Sequence, residues 1–231
     1  MTRLSILSGG AAHALVGALS ADFTRRTGHV VDGVFGAVGA MRAKLAAGHP
    51  ADLVILTQAI VAELAASGEA RPDAVADVGA VEAAIAVRAG DPRPELGDPD
   101  ALRRALRAAD AIYVPDPALA TAGIHFSDVL RRLGLAQELA SRLRPHPNGA
   151  AAMRALAAAP EARPIGSTQV TEILAEPGAE LVAPLPDGYG LRTVYTAAVT
   201  TQSRDPEAAR ALLALLSGED SAAVRRHCGF L

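Results

Sequence analysis

Five short stretches of this 231-residue chain carry groups that could meet a charged ligand. Ser8-Gly9-Gly10 closes an apolar run and leads to His13. Ala37-Val38-Gly39 follows a second β-rich run, and Thr57 closes a third. Thr121-Ala122-Gly123 precedes His125, and Ser167-Thr168-Gln169 precedes Glu172. Small residues where a strand turns into a helix expose backbone N–H groups, and the positive end of the helix dipole adds to their attraction for an anion. Hydroxyl and amide side chains can add donors. An imidazole at His125 could donate to a carboxylate or move a proton near neutral pH. Each residue also has a purely structural reading. Ser8 can cap its turn, His13 and His125 can be half-exposed residues at helix starts, Asn148 can be an N-cap, and Glu172 can be solvated. No Ser, His and Asp order defines a nucleophilic triad, no spacing suits a metal, and Gly9-Gly10 is not a phosphate-binding loop. No cofactor is implied.

The elements that must position these groups follow from periodicity. Arg3 to Ser8 is a short strand, and Leu15, Leu19 and Phe23 give the next helix one buried face. His29 to Phe35 is β-branched and strand-like, Met41 and Leu45 face a core from a second helix, and Gly48 and Pro50 end it. Ala51 to Leu56 is a buried strand, followed by a helix through Leu64. This β-α-β-α-β-α order predicts a parallel sheet with right-handed crossovers. Val81 to Val87 is the next predicted strand. Asp91-Pro92-Arg93-Pro94 breaks the pattern, and Asp98-Pro99 starts a helix through Arg107. A strand at Ala111 to Val114, a helix carrying Phe126, Leu130 and Leu133, and a helix over Ala136 to Leu143 follow. Asn148 then opens a helix with Ala152 and Leu156. Arg163 to Ser167 ends a strand, Thr168 begins a short helix, and Glu180 to Ala183 and Thr193 to Thr200 are strands. Asp205-Pro206 caps a helix with Leu212, Leu213 and Leu216, and a short last helix ends at Gly229.

Composition bounds the rest. Half the chain is hydrophobic but only 3% aromatic, so the core is built from Ala, Leu, Val and Ile. The net charge of −3, with no basic block, argues against nucleic acid as a partner. Cys228 is the single cysteine and has no internal disulfide partner. No run reaches the roughly 18 apolar residues of a membrane span.

The order of motifs resembles type II solute-binding proteins, nearest the molybdate-binding component of ABC transporters. The stretches that carry it are Ala12-His13-Ala14-Leu15 with Phe23 and Gly28, and Phe35-Gly36 with Met41. Ala46 to Leu53, Thr121 to Ile124, Leu133-Gly134 and Gly229-Phe230 complete the set, and Gly48-x-Pro50-Ala51-Asp52 is the most specific of them. The resemblance implies an α/β fold of two lobes, residues 1–82 with 196–231 and residues 83–195, hinged near Val87 and Val194. The ligand would lie between the lobes, held by Ser8, Gly9, Gly10, Ala37, Val38, Gly39, Thr57, Thr121, Ala122, Gly123, His125, Ser167, Thr168 and Gln169. Molybdate binders present two serine hydroxyls from lobe one and a tyrosine from lobe two. Here Gly10 and Ala37-Val38 replace the serines and Gln169 replaces the tyrosine. Charge-assisted hydrogen bonds contribute about 1.5–3 kcal/mol each, so their loss argues against molybdate and for a larger, partly organic anion.

Ser167 to Leu174 and Pro177 to Pro186 resemble a subgroup that is often leaderless or detached from a transporter. Bacterial aconitate isomerases share a similar scaffold. The expected function is therefore binding of a small carboxylate or other oxyanion by a monomer. The alternative is a cofactor-free isomerase or lyase with His125 moving a proton, and a third reading is a metabolite sensor. As written the chain is expected in the cytoplasm. If a leader was removed it would be periplasmic, with an ABC permease as partner.

Overall fold

A computed structural model describes residues 2–231. These residues divide into two compact units, 2–81 with 193–231, and 82–192.

In unit one, β1 (Arg3–Gly9) pairs in parallel with β2 (Val30–Gly36) and β3 (Leu53–Thr57), and β9 (Arg192–Thr200) runs antiparallel to β3. Leu53, Val54, Ile55 and Leu56 are all fully buried. A strand covered on both faces needs such a continuous apolar run. The covering helices are α1 (His13–Thr27), α2 (Val38–Ala46), α3 (Gln58–Ala66) and α8 (Pro206–Ser217), with α9 (Ala222–His227) closing the chain. Leu15, Val16, Leu19 and Phe23 form the inner stripe of α1. Asp52 ties this unit together. Its carboxylate accepts from the Ser5 N–H at 2.8 Å, the Ser5 hydroxyl at 2.7 Å, the Arg204 N–H at 2.8 Å and the Ser203 hydroxyl at 3.1 Å.

In unit two, β4 (Ala70–Arg88), which enters from unit one, pairs antiparallel with both β7 (Pro164–Gln169) and β8 (Ala179–Pro184). Beyond β7 lie β5 (Ala111–Pro115) and β6 (Leu143–His146), all three parallel. Side chains of β4 alternate. Ala83, Ile85 and Val87 join a core with Leu102 and Leu106 of α4 (Pro99–Ala108) and Phe126, Val129 and Leu130 of α5 (Thr121–Arg132). Ala84 and Ala86 face the other way, against Met153 and Leu156 of α6 (Gly149–Ala157) and Ile173 of α7 (Val170–Leu174). A period of two with both faces apolar is the mark of an internal strand.

Three sequence expectations are corrected. The strand predicted for Val81 to Val87 runs over 19 residues, because its first half buries only Ala70, Ala74 and Val78 among mostly exposed residues and so carries little apolar signal. Ala136 to Leu143 is not a helix. It folds as turns and a 3₁₀ turn at Ala140–Arg142, and Leu143 then begins β6. Leu143 packs against the core from that strand, and Pro145 cannot continue a helix. Thr168 and Gln169 belong to β7, not to the helix after it.

Candidate functional site

The helix starts differ in one respect. Asp98, Asn148 and Asp205 cap α4, α6 and α8 with side-chain bonds of 2.7, 2.9 and 3.0 Å to backbone N–H groups. Among the described residues, no side chain caps the 3₁₀ turn Gly10–Ala12, nor α1, α2, α3, α5 or α7. The first N–H groups of a helix have no partner inside it, so an uncapped start leaves donors for water or an anion.

In unit one these starts share an edge. Gly9 lies opposite Gly36 and Ser8 opposite Ile55, so β1, β2 and β3 end side by side. Gly10, then Ala37-Val38-Gly39, then Thr57 begin the turns and helices beyond. Ser8 itself is fully buried and its hydroxyl donates to the Gly9 carbonyl at 2.9 Å. Its backbone position, not its hydroxyl, belongs to the edge. The exposed His13 ring leans on Phe35, centroids 4.5 Å apart.

Sequence reasoning missed Tyr195. It pairs with Thr57 across β3 and β9 and is 3% exposed. A Cβ on Gly9 would stand 2.9 Å from Tyr195 Cε1 and 3.1 Å from Val38 Cγ2. Gly9 is therefore the residue that lets this ring close over the strand end. One tyrosine in an otherwise small, β-rich run was the available signal. Nearby, Asp77 accepts from the Thr196 hydroxyl at 2.5 Å and the Gln58 amide at 3.2 Å.

In unit two, Asp116 accepts from the Ala118 and Leu119 N–H groups at 2.7 and 3.0 Å, and so shapes the turn from β5 into α5. Thr121, Ala122 and Gly123 form the uncapped first turn. A Cβ on Gly123 would collide with the carbonyl oxygens of Pro115 and Asp116, so only glycine lets α5 sit this close to the turn. His125 Nε2 lies 2.7 Å from the Tyr189 carbonyl oxygen. A carbonyl only accepts, so Nε2 carries the proton and donates, and in the neutral ring Nδ1 holds the lone pair. Arg132 stacks 4.5 Å over the Tyr189 ring and its Nη2 donates to Gly188 O at 2.6 Å. The Gly188–Tyr189 loop is thus fixed to α5 from two residues.

Ser167, Thr168 and Gln169 are at most 2% exposed. The Thr168 hydroxyl donates to Glu172 at 2.6 Å. Glu172 corrects an expectation, since it is buried, not solvated. Burial raises its pKa, and bonds from Thr168 and from the N–H groups of Gln169, Ala150 and Gly149 oppose that rise. Asn148 is the N-cap that the sequence predicts. On the α6 side of the sheet, the Tyr113 hydroxyl donates to Glu161 at 2.8 Å. Burial and that carboxylate push its pKa up to about 12.

Among the described residues, no group of three His, Cys, Asp or Glu is placed to hold a metal ion. No helix among them is long and apolar enough to cross a membrane.

Residues 4–231 match the model of a family described as bacterial extracellular solute-binding protein. The chain is 32% identical over 228 residues to an aconitate isomerase of Pseudomonas sp., spanning 96% of this chain and 85% of that relative. Its fold superposes on the periplasmic molybdate-binding protein of Azotobacter vinelandii with a TM-score of 0.81 at 20% identity, over 99% of this chain and 98% of the other. It superposes on the sulfate-binding protein SubI of Mycobacterium tuberculosis H37Rv with a TM-score of 0.72 at 19% identity, over 100% and 86%.

Proposed function

The chain belongs to the bacterial extracellular solute-binding protein family, and from that premise we propose that it binds a small organic anion with more than one carboxylate. One observation carries this reading. The helix starts at the carboxyl ends of β1, β2, β3 and β5 are left without side-chain caps, while α4 and α8 are capped by aspartate. In unit one the candidate donors are the backbone groups near Gly9, Gly10, Ala37, Val38, Gly39 and Thr57. In unit two they are those of Thr121, Ala122 and Gly123, with His125 beside them and Gln169 at the end of β7. Each carboxylate held at a helix start gains about 0.3–1 kcal/mol from the dipole alone, and more where water is excluded. Gly10, Ala37 and Val38 supply no hydroxyls, which suits a ligand broader than a tetrahedral oxyanion. If the gene encodes a leader, an ABC permease is the expected partner. The sensor reading needs a protein partner instead.

The relative named aconitate isomerase supports a second reading, isomerisation of such a ligand on the same scaffold. In an unsaturated tricarboxylate, a base would take a proton from the methylene carbon. The electron pair would shift the double bond by one position, and the proton would return at the far carbon. Atoms and electrons balance without a cofactor. His125 Nδ1 is the candidate base, because Nε2 is already engaged as a donor to Tyr189. Helix-start donors would stabilise the charge that spreads onto the carboxylates.

Thermal unfolding across citrate, both aconitate isomers, tricarballylate, sulfate and molybdate tests the binding reading. A ligand at 100 times its Kd adds about 2.7 kcal/mol. Stabilisation by one or more carboxylates is expected, and stabilisation by none would refute the reading. Proton NMR of the aconitate samples then tests the second reading through isomer conversion.

A further inference from the structure

Of the three capped helices, α6 has a second side chain against its first turn. The Asn148 side chain accepts from the Ala151 N–H at 2.9 Å. The Glu172 carboxyl accepts from the N–H groups of Gly149 and Ala150, from the N–H of Gln169, and from the Thr168 hydroxyl at 2.6 Å. The carboxyl group thus lies against the first turn of α6, beside the N–H that Asn148 already takes. A Cβ on Gly149 would fall on the Glu172 carboxyl group and the Thr168 hydroxyl, so the absence of a side chain there makes the room. Thr168 and Glu172 come from the end of β7 and from α7, and Gly149 and Ala150 from α6. Three elements meet on one buried carboxyl group.

We propose that Glu172 is a built-in guest, a positioning residue whose carboxyl group fills the anion seat of α6, fixes Thr168 and Gln169 against that helix, and keeps a ligand carboxylate out. β5 and β6 are parallel neighbours, with Pro115 opposite His146, so α5 and α6 start from the same edge of one sheet. The chain fills one of these starts and leaves the other uncapped. The consequence for selectivity, one open helix start in place of two, rests on the anion-binding reading. The seat itself does not, and it can be probed without the protein's own ligand.

The test uses the full chain, with sodium formate and sodium acetate as probes and sodium chloride at equal ionic strength as control. E172A should unfold at a lower temperature than wild type in chloride. Formate or acetate should restore part of that loss with a saturable dose response, at concentrations that leave the wild-type midpoint unmoved. E172Q keeps the side-chain volume and should not respond. Equal midpoints for E172A in formate, acetate and chloride would overturn the proposal, as would an equal response from E172Q. If E172A does not fold on expression, refolding yield replaces the midpoint, and no gain in formate over chloride overturns it. Failure of wild type to bind any polycarboxylate would count against the function alone, since formate rescue does not depend on it.

Discussion

At the scale of single residues, Asp52 and His125 show opposite uses of polar atoms. Asp52 ends the motif Gly48-x-Pro50-Ala51-Asp52, and its role is structural. Burial would raise its pKa, but the bonds from Ser5, Arg204 and Ser203 outweigh this and hold it below the usual carboxylate range. A depressed acid adds stability above its unfolded pKa and loses it as pH falls through the folded value. Asp52→Asn should therefore cost about 1–3 kcal/mol at neutral pH. The gap to wild type should close under acid, and urea unfolding at several pH values measures this. A gap that stays constant with pH would show that the charge is not what matters. His125 is anchored through one nitrogen and offers the other. His125→Gln keeps a donor for the Tyr189 carbonyl, so carboxylate affinity should hold within a few-fold. If the chain is an isomerase, conversion should fall by about 10²–10⁴. Loss of affinity with conversion intact would reverse these roles. Asn148 was legible because an N-cap is local chemistry. Glu172 and Tyr195 were not, since their burial depends on Gly149 and Gly9, far away in sequence.

At the scale of elements, caps and close approaches decide what each helix start can do. Most strands and helices were legible because Leu53–Leu56 is a continuous apolar run and α1 and α8 carry apolar residues at helical spacing. Ala136 to Leu143 misled because alanine and leucine favour a helix in isolation, while Leu143 gains more by packing from β6. Gly10→Asp would put a carboxylate on the uncapped 3₁₀ turn of unit one. Affinity for an organic anion should fall by about tenfold or more, roughly 1.4 kcal/mol per factor of ten, while the unfolding temperature changes little. Unchanged affinity would remove that turn from the site. Gly123→Ala acts differently, because its Cβ meets the carbonyls of Pro115 and Asp116. Such overpacking costs about 1–3 kcal/mol, so α5 should shift and the melting temperature fall. An undisturbed melt would mean that the turn yields easily.

At the scale of the whole molecule, two units each present uncapped helix starts at the carboxyl ends of parallel strands. The family was legible from motifs spread along nearly the whole chain. The ligand class was not, because the backbone donors proposed to hold it carry no side-chain signature, and Gly10, Ala37 and Val38 have no hydroxyls. The most direct test is calorimetric titration of the full chain with the two aconitate isomers, citrate, sulfate, molybdate and tungstate in one buffer. The expected result is saturable one-to-one binding of an organic polycarboxylate, with molybdate and tungstate weak or silent. Sub-micromolar molybdate binding without a response to any carboxylate would contradict it.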